Sequence, residues 1–272
     1  ASLFKNDQHI ASRLRELFHR GYLDRPVAQL QLRVRDGVIA KGSVPLVYCV
    51  TKSGLDIIGS ERRAALGDGK LSWVGKLNEG GRVFMEHTLA IADVSIGLDV
   101  ALRGQTRLER LSDTALLSGM SDVRRASAKP WSLRVNYKGE NLTALCDLAF
   151  AVGDRAARRR WNFLVEVDRG HMPVTRASFQ ATSIMRKLVA YATAYDDGLH
   201  QSDLGWQNLR VVVLTTSADR VQTCVDAARA RFGSAAVARI FLFGVGGAAV
   251  DLLNHEFIDG LGRKVRLIEQ AA

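Results

Sequence analysis

The sequence predicts an α/β protein, and three observations predict it. Two apolar segments of strand length, Leu142–Val152 and Trp161–Gly170, flank the short basic stretch Gly153–Arg160 and read as an antiparallel hairpin. After them a helical pattern (178–195), a strand (209–215), a second helix (218–232) and a strand (239–243) follow in turn. That alternation packs helices on a sheet whose last strands run parallel to the third. Finally, 47% apolar and 24% charged residues are the proportions of a folded chain with a sizeable core.

From the amino end, Asn6 or Asp7 caps a helix that runs to about Arg20, with Gly21 as its stop. Ile10, Leu14, Leu17 and Phe18 form its apolar stripe, while Gln8, Ser12, Arg13 and Arg15 point elsewhere. A strand at 30–35, a glycine-containing loop and a strand at 46–51 follow, and a short helix starts near Ser53. The stretch 67–81 carries five glycines and reads as a linker between residues 1–66 and a second domain at 82–272. A helix then spans about 82–103, with Phe84, His87, Ile91, Val94 and Leu98 as its buried stripe. On that stripe His87 reads as a core histidine. Its neighbour Glu86 faces either solvent or the acids described next. A strand at 131–137 leads into the hairpin, and the later helix buries Ile184, Leu188, Tyr191 and Tyr195.

The hairpin carries the chemistry. Alternation sends Phe163, Val165 and Val167 to one face, and Glu166 and Asp168 to the other. A loop that closes symmetrically about its middle pairs residues whose numbers sum to 313, which sets Asp147 opposite Glu166. Three carboxylates then converge on one patch, which requires a divalent metal or an Arg or Lys partner. Arg155, Arg158, Arg159 and Arg160 in the loop read as phosphate contacts that give affinity without sequence choice. Arg169 can neutralise the acids or grip a phosphate, and Gly170 lets the chain leave the strand with a positive φ.

A formal net charge of +10, scattered through folded segments, favours an acidic partner, most simply nucleic acid. Cys49, Cys146 and Cys224 stand far apart in apolar segments and read as reduced core thiols, not as a zinc site. No apolar run reaches the roughly 18 residues of a membrane span, and the amino end is not a signal peptide. The expectation is a cytoplasmic chain.

Helix, long hairpin and helix resemble a winged helix-turn-helix. Ser12–Tyr22 is similar to its recognition helix and exit, and Val50–Leu55 to the step from the wing to the next helix. The resemblance implies DNA contacts from Arg13 and Arg15 on the helix and from Arg33, Arg35 and Lys41 on the hairpin. Two helices of that motif are absent before Ser12, so the resemblance is to an incomplete winged helix and implies a piece of a longer protein. Asp147 and Glu166 with a lysine, on a mixed sheet flanked by helices, resemble the PD-(D/E)XK nuclease core. This resemblance implies Asp147, Glu166, Asp168 and Lys187 as catalytic residues, with Mg²⁺ (Mn²⁺ as substitute) on Asp147 and Glu166. Two positions depart from the pattern. Cys146 replaces proline, and Asp168 stands where the lysine is expected, so the ammonium must come from Lys187 on the following helix.

A more specific resemblance covers most of residues 9–243. Leu164–Tyr195, with its E-x-D-R-G strand end and a helix bearing R-K-L and aromatics, is similar to the distinctive stretch of the replication-relaxation family of plasmid and mobile-element proteins. Leu209–Ser217 and Glu86–Leu89 fit the same family. It implies a bacterial DNA-binding protein acting in plasmid replication, DNA relaxation or mobilisation. Three readings follow: metal-dependent nicking; a catalytically inactive, sequence-specific DNA-binding accessory factor or transcriptional regulator, with Asp168 and Arg169 as an ion pair; or a protein-interaction platform. The implied partners are double-stranded DNA, other plasmid-processing proteins and a second copy in a homodimer, and no membrane.

Overall fold

The computed structural model describes residues 7–27, 29, 34–35, 38–39, 46–58, 73–127, 129–176, 181–247 and 250–268. The chain divides into two compact units, Ala1–Leu89 and Ala90–Ala272.

In the first unit α1 (Asp7–His19) ends as the sequence predicts. Gly21 takes a φ of +75°, and the Tyr22 amide donates back to the Leu17 carbonyl at 3.0 Å. Arg13 and Arg15 lie on the exposed side of this helix. The strand pairing departs from expectation. β1 (Leu23–Asp24) pairs antiparallel with β4 (Cys49–Val50), while β2 (Val34–Arg35) pairs with β3 (Val38–Ile39). The cause is the tight exit from α1, which is tied directly to the later strand. The Thr51 hydroxyl donates to the Gly21 carbonyl at 2.6 Å and its amide to the Tyr22 carbonyl at 3.0 Å. Arg35 stands on β2, whereas Arg33 and Lys41 lie outside the described residues. Helix α2 (Lys52–Ile58) follows.

Helix α3 (Trp73–Leu102) begins nine residues before the expected Arg82, so residues 73–80 of the expected linker are helical. Glycine costs a helix only about 1 kcal/mol relative to alanine. Burial of Leu77 beside Met85, Val47 and Cys49 outweighs that cost. Gly81, at φ 64° and ψ −160°, interrupts the helix. The stripe is also shifted here: Met85 is buried, whereas Phe84 is 37% exposed. Glu86 accepts a hydrogen bond from Arg82 at 2.8 Å within the same helix.

In the second unit a seven-stranded sheet is built from β5 (Leu108–Arg110), β8 (Leu148–Asp154), β9 (Arg159–Val167), β10 (Arg210–Thr215), β11 (Phe241–Val245), β12 (Phe257–Asp259) and β13 (Lys264–Val265), in spatial order β13-β12-β11-β10-β9-β8-β5. β9, β10 and β11 run parallel, as the alternation of helices and strands predicts. Their neighbours β8 and β12 are antiparallel. The terminal pair β12–β13 has no counterpart in the order of elements the sequence predicts.

Two short helices, α4 (Asp113–Leu117) and α5 (Asp122–Arg125), follow β5. The expected strand Leu142–Val152 is two strands. β7 (Glu140–Ala144) pairs with β6 (Leu133–Tyr137) in a separate hairpin, and the chain re-enters the sheet at Leu148. Helix α6 (Ile184–Asp196) starts later than its apolar pattern suggests, because the Ser183 hydroxyl caps it by accepting from the Arg186 amide at 3.1 Å. Helices α7 (Leu199–Ser202) and α8 (Ala218–Phe232) complete the set.

Alternation along the strands decides what covers each face. Leu164, Val211 and Val213 pack with Leu188 and Tyr191 of α6 and with Val221, Cys224 and Val225 of α8. Phe150, Phe163, Val165 and Val212 pack with Val94, Leu98 and Leu102 of α3. Phe150 and Phe163 are cross-strand partners whose rings stack at 4.8 Å. Helices therefore sandwich the sheet.

One backbone crossing has no room for a side chain. A Cβ on Gly205, whose φ is +68°, would sit 2.5 Å from the Gly119 carbonyl oxygen. Gly205→Ala is expected to lower stability by about 2 kcal/mol, from backbone strain and steric overlap together. A shift of less than about 0.5 kcal/mol in a urea melt would contradict this tight crossing.

Candidate active site

The expected register holds. Leu148 pairs with Val165 and Asp154 with Arg159, each pair summing to 313. Asp147 stands just before β8, where its amide donates to the Val165 carbonyl at 2.9 Å. Its Oδ2 accepts the Val167 amide at 2.8 Å, so the carboxylate extends the ladder past the strand end and straddles Glu166.

Glu166 points to the α6 face, opposite Val213 of β10, and is 5% exposed. Lys187 of α6 hydrogen-bonds its Oε2, and the Tyr191 hydroxyl donates to its Oε1 at 2.6 Å. Lys187 and Tyr191 are four apart on one helical face, which lets both reach one carboxylate. Burial pushes the Glu166 carboxyl up to about 7, against the pull of Lys187 and with a further push from Asp147. Burial works against the Lys187 ammonium, but Glu166 and Asp147 outweigh it and hold its pKa above the ordinary value. Burial, then the neighbouring carboxylate, drives Tyr191 upward, so its hydroxyl stays a neutral donor. Cys146 is buried beside the same group, and its thiol is pushed well up, first by burial and then by Glu166 and Asp147.

Asp168 does not complete a cluster of three acids. It shares the Glu166 face, as alternation requires, but forms an ion pair with Arg220 in the first turn of α8. Arg220 also donates to the Met172 carbonyl, and Asp168 Oδ1 accepts the Gly170 amide at 3.1 Å. The partner that closes this pair lies fifty-two residues on, beyond the neighbouring Arg169 that the sequence suggests under the second reading. Asp168 is an anchor that fastens the end of β9 to α8. Gly170 does adopt a positive φ, +83°. Among the described residues no three His, Cys, Asp or Glu side chains are placed to hold a metal ion. Positive charge reaches the acids from Lys187 and Arg220.

The basic loop lies at the far end of the hairpin. Asp154 Oδ1 accepts the amides of Ala156 and Ala157, each at 2.9 Å, which leaves a short turn at 155–158. From Arg158 to Glu166 the strand runs eight residues, roughly 25 Å. Arg155 pairs with Glu109 at 2.7 Å. Arg160 is half-buried and donates to Asn162 at 2.5 Å and to the Ala115 carbonyl at 3.1 Å. Both are tied to neighbouring groups of the fold. Arg158, at φ 51°, and Arg159 project into solvent.

Sequence reasoning places Asp147, Glu166 and Lys187 together but misses two residues. Tyr191 reads as a core position, although a phenol one turn after Lys187 is a usable signal. Arg220 gives no signal, because its partner is fixed only by the docking of α8.

Fold and site together define a layered α/β protein in which the adjacent strands β8 and β9 carry two carboxylates at one end, faced by a lysine and a tyrosine from a covering helix. The chain belongs to the replication-relaxation family, whose model matches residues 1–208. The match therefore stops before β10, short of the residue 243 expected from the sequence. The family points to a role in plasmid or mobile-element replication or relaxation. No curated protein and no solved structure matches the chain. No helix among the described residues is long and apolar enough to cross a membrane.

Proposed function

We propose that the chain binds double-stranded DNA of a bacterial plasmid or mobile element and nicks it, with Asp147, Glu166 and Lys187 as the cutting site. The observation that carries this reading is the Lys187 ammonium on Glu166, next to Asp147. An acid, an acid and a lysine are assembled although the strand itself lacks the lysine. The order of elements supports it: helix α3, antiparallel β5, β8 and β9, helix α6, then β10 parallel to β9. That succession resembles the layout of the PD-(D/E)XK core, with the β6–β7 hairpin inserted.

The donor chemistry suits Mg²⁺, which takes one or two carboxylates and fills its shell with water. Asp147 and Glu166 would hold the ion, and when bound it supplies charge stabilisation for the phosphate and acidifies a water. Asp147 is positioned for this by the Val167 amide. Lys187 keeps a positive charge beside Glu166 and favours its ionised form. In the first unit, α1 with the β1–β4 and β2–β3 pairs supports a winged-helix role, in which Arg13 and Arg15 meet phosphates or base edges.

The test is supercoiled plasmid carrying the element's origin, incubated with Mg²⁺, with Mn²⁺ or with chelator. Metal-dependent nicking that disappears in Asp147→Ala and Glu166→Ala is the expected result. Salt-sensitive DNA binding with no nicking would instead establish the second reading, a DNA-binding accessory factor that does not cut. The ion pair of Asp168 with Arg220, at the position where a lysine is expected, favours that alternative. Separately, Arg13→Ala with Arg15→Ala is expected to weaken DNA binding and to flatten its salt dependence, by about one unit of log–log slope for each phosphate no longer neutralised. Unchanged affinity would remove α1 from the interface.

A further inference from the structure

We infer that Tyr191 is a positioning residue of this site, which with Lys187 clamps the two oxygens of Glu166 in one orientation for a divalent cation. The inference rests on the reading of Asp147 and Glu166 as cation ligands. Glu166 stands between two donors from one helix: Tyr191 Oη on Oε1 at 2.6 Å and Lys187 Nζ on Oε2. A carboxylate held at one oxygen still rotates about its last bond, whereas one held at both does not. Tyr191 is fully buried and rigid, packed among the α6 and sheet residues, so its hydroxyl has a fixed origin. It cannot itself reach a substrate, so its influence passes through Glu166. The asymmetry of the two donors matters. A neutral phenol holds its oxygen without competing in charge with a cation, while the ammonium holds the other oxygen and brings the positive charge of the proposed cutting site.

Outer partners that orient a metal ligand typically contribute 10–100-fold to metal affinity. The experiment measures Mn²⁺ binding to the whole chain by electron paramagnetic resonance, with circular dichroism confirming the fold of each variant. Tyr191→Phe removes one oxygen atom and keeps the ring. It is expected to weaken Mn²⁺ binding at least tenfold. Leu188→Val, on the same buried helix face, controls for helix packing and is expected to lower Tm while leaving Mn²⁺ affinity unchanged. Wild-type affinity in Tyr191→Phe would overturn the inference and leave the ligand reading intact. Equal weakening in both variants would overturn it too, since Tyr191 would then act through packing alone. Absence of Mn²⁺ binding by the wild-type chain would sink the ligand reading and this inference together.

Discussion

Lys187→Met is expected to lower stability by about 3 kcal/mol at pH 9.5 and by much less at pH 5. The substitution keeps the stem of the side chain but strands Glu166, a 5% exposed carboxylate, without its cation. Removing one partner of a buried pair costs about 3–5 kcal/mol, and the lower end applies because Lys187 retains 25% side-chain exposure. The pH window follows from the direction of the shift. Glu166 titrates near 7 in the fold, above its ordinary value of 4.5. Its neutral form therefore favours the folded state below about pH 4.5, and that advantage is lost as pH rises through 7. Without Lys187 the carboxyl moves higher still, so variant and wild type diverge only above about pH 7, where wild-type Glu166 ionises and the variant's does not. Lys187 itself stays charged throughout, since its pKa is raised above 10.5. Urea melts of both proteins at pH 5 and pH 9.5 check this. A destabilisation that does not change with pH would mean that Glu166 is not the group stranded by the substitution.

Arg220→Met is expected to cost a similar amount, about 3 kcal/mol at neutral pH, for a different reason. Asp168 has 7% side-chain exposure, and its ion-pair partner is Arg220. The same guanidinium holds the Met172 carbonyl, so the segment leaving β9 loses a tether as well. Adding Asp168→Asn to the variant removes the stranded charge and is expected to recover more than half of the loss. A double-mutant cycle in denaturant melts reads this coupling directly. Purely additive losses would show that the two residues do not act as a pair, and Asp168 would again be a candidate catalytic group.

These two residues also show what is legible in the sequence. Lys187 can be found because local rules reach it: it follows Glu166 by one strand-to-helix crossing, and helical spacing puts it on the face that also carries Tyr191. The register of Leu148 with Val165 is legible for the same reason, since a tight turn and a period of two leave few alternatives. Arg220 is not legible. Nothing short of packing α8 on β10 and β9 brings it to Asp168, and a sequence carries no direct record of that distance. Helix starts are misplaced where a cap outweighs the apolar pattern, as Ser183 does for α6, or where burial outweighs a run of glycines, as Leu77 does for α3. In the first unit, hydrogen bonds from Thr51 to the backbone at Gly21 and Tyr22 decide the strand partners. Alternation alone cannot.

Placing the ammonium on α6 has a mechanical consequence. A lysine two residues along the strand would stay beside its carboxylate for as long as the sheet remained paired. Lys187 and Tyr191 stay there only while their helix is seated, and both depart together if it lifts. A partner that levers α6 away by a few ångströms would disarm Glu166 without breaking a single strand-to-strand hydrogen bond.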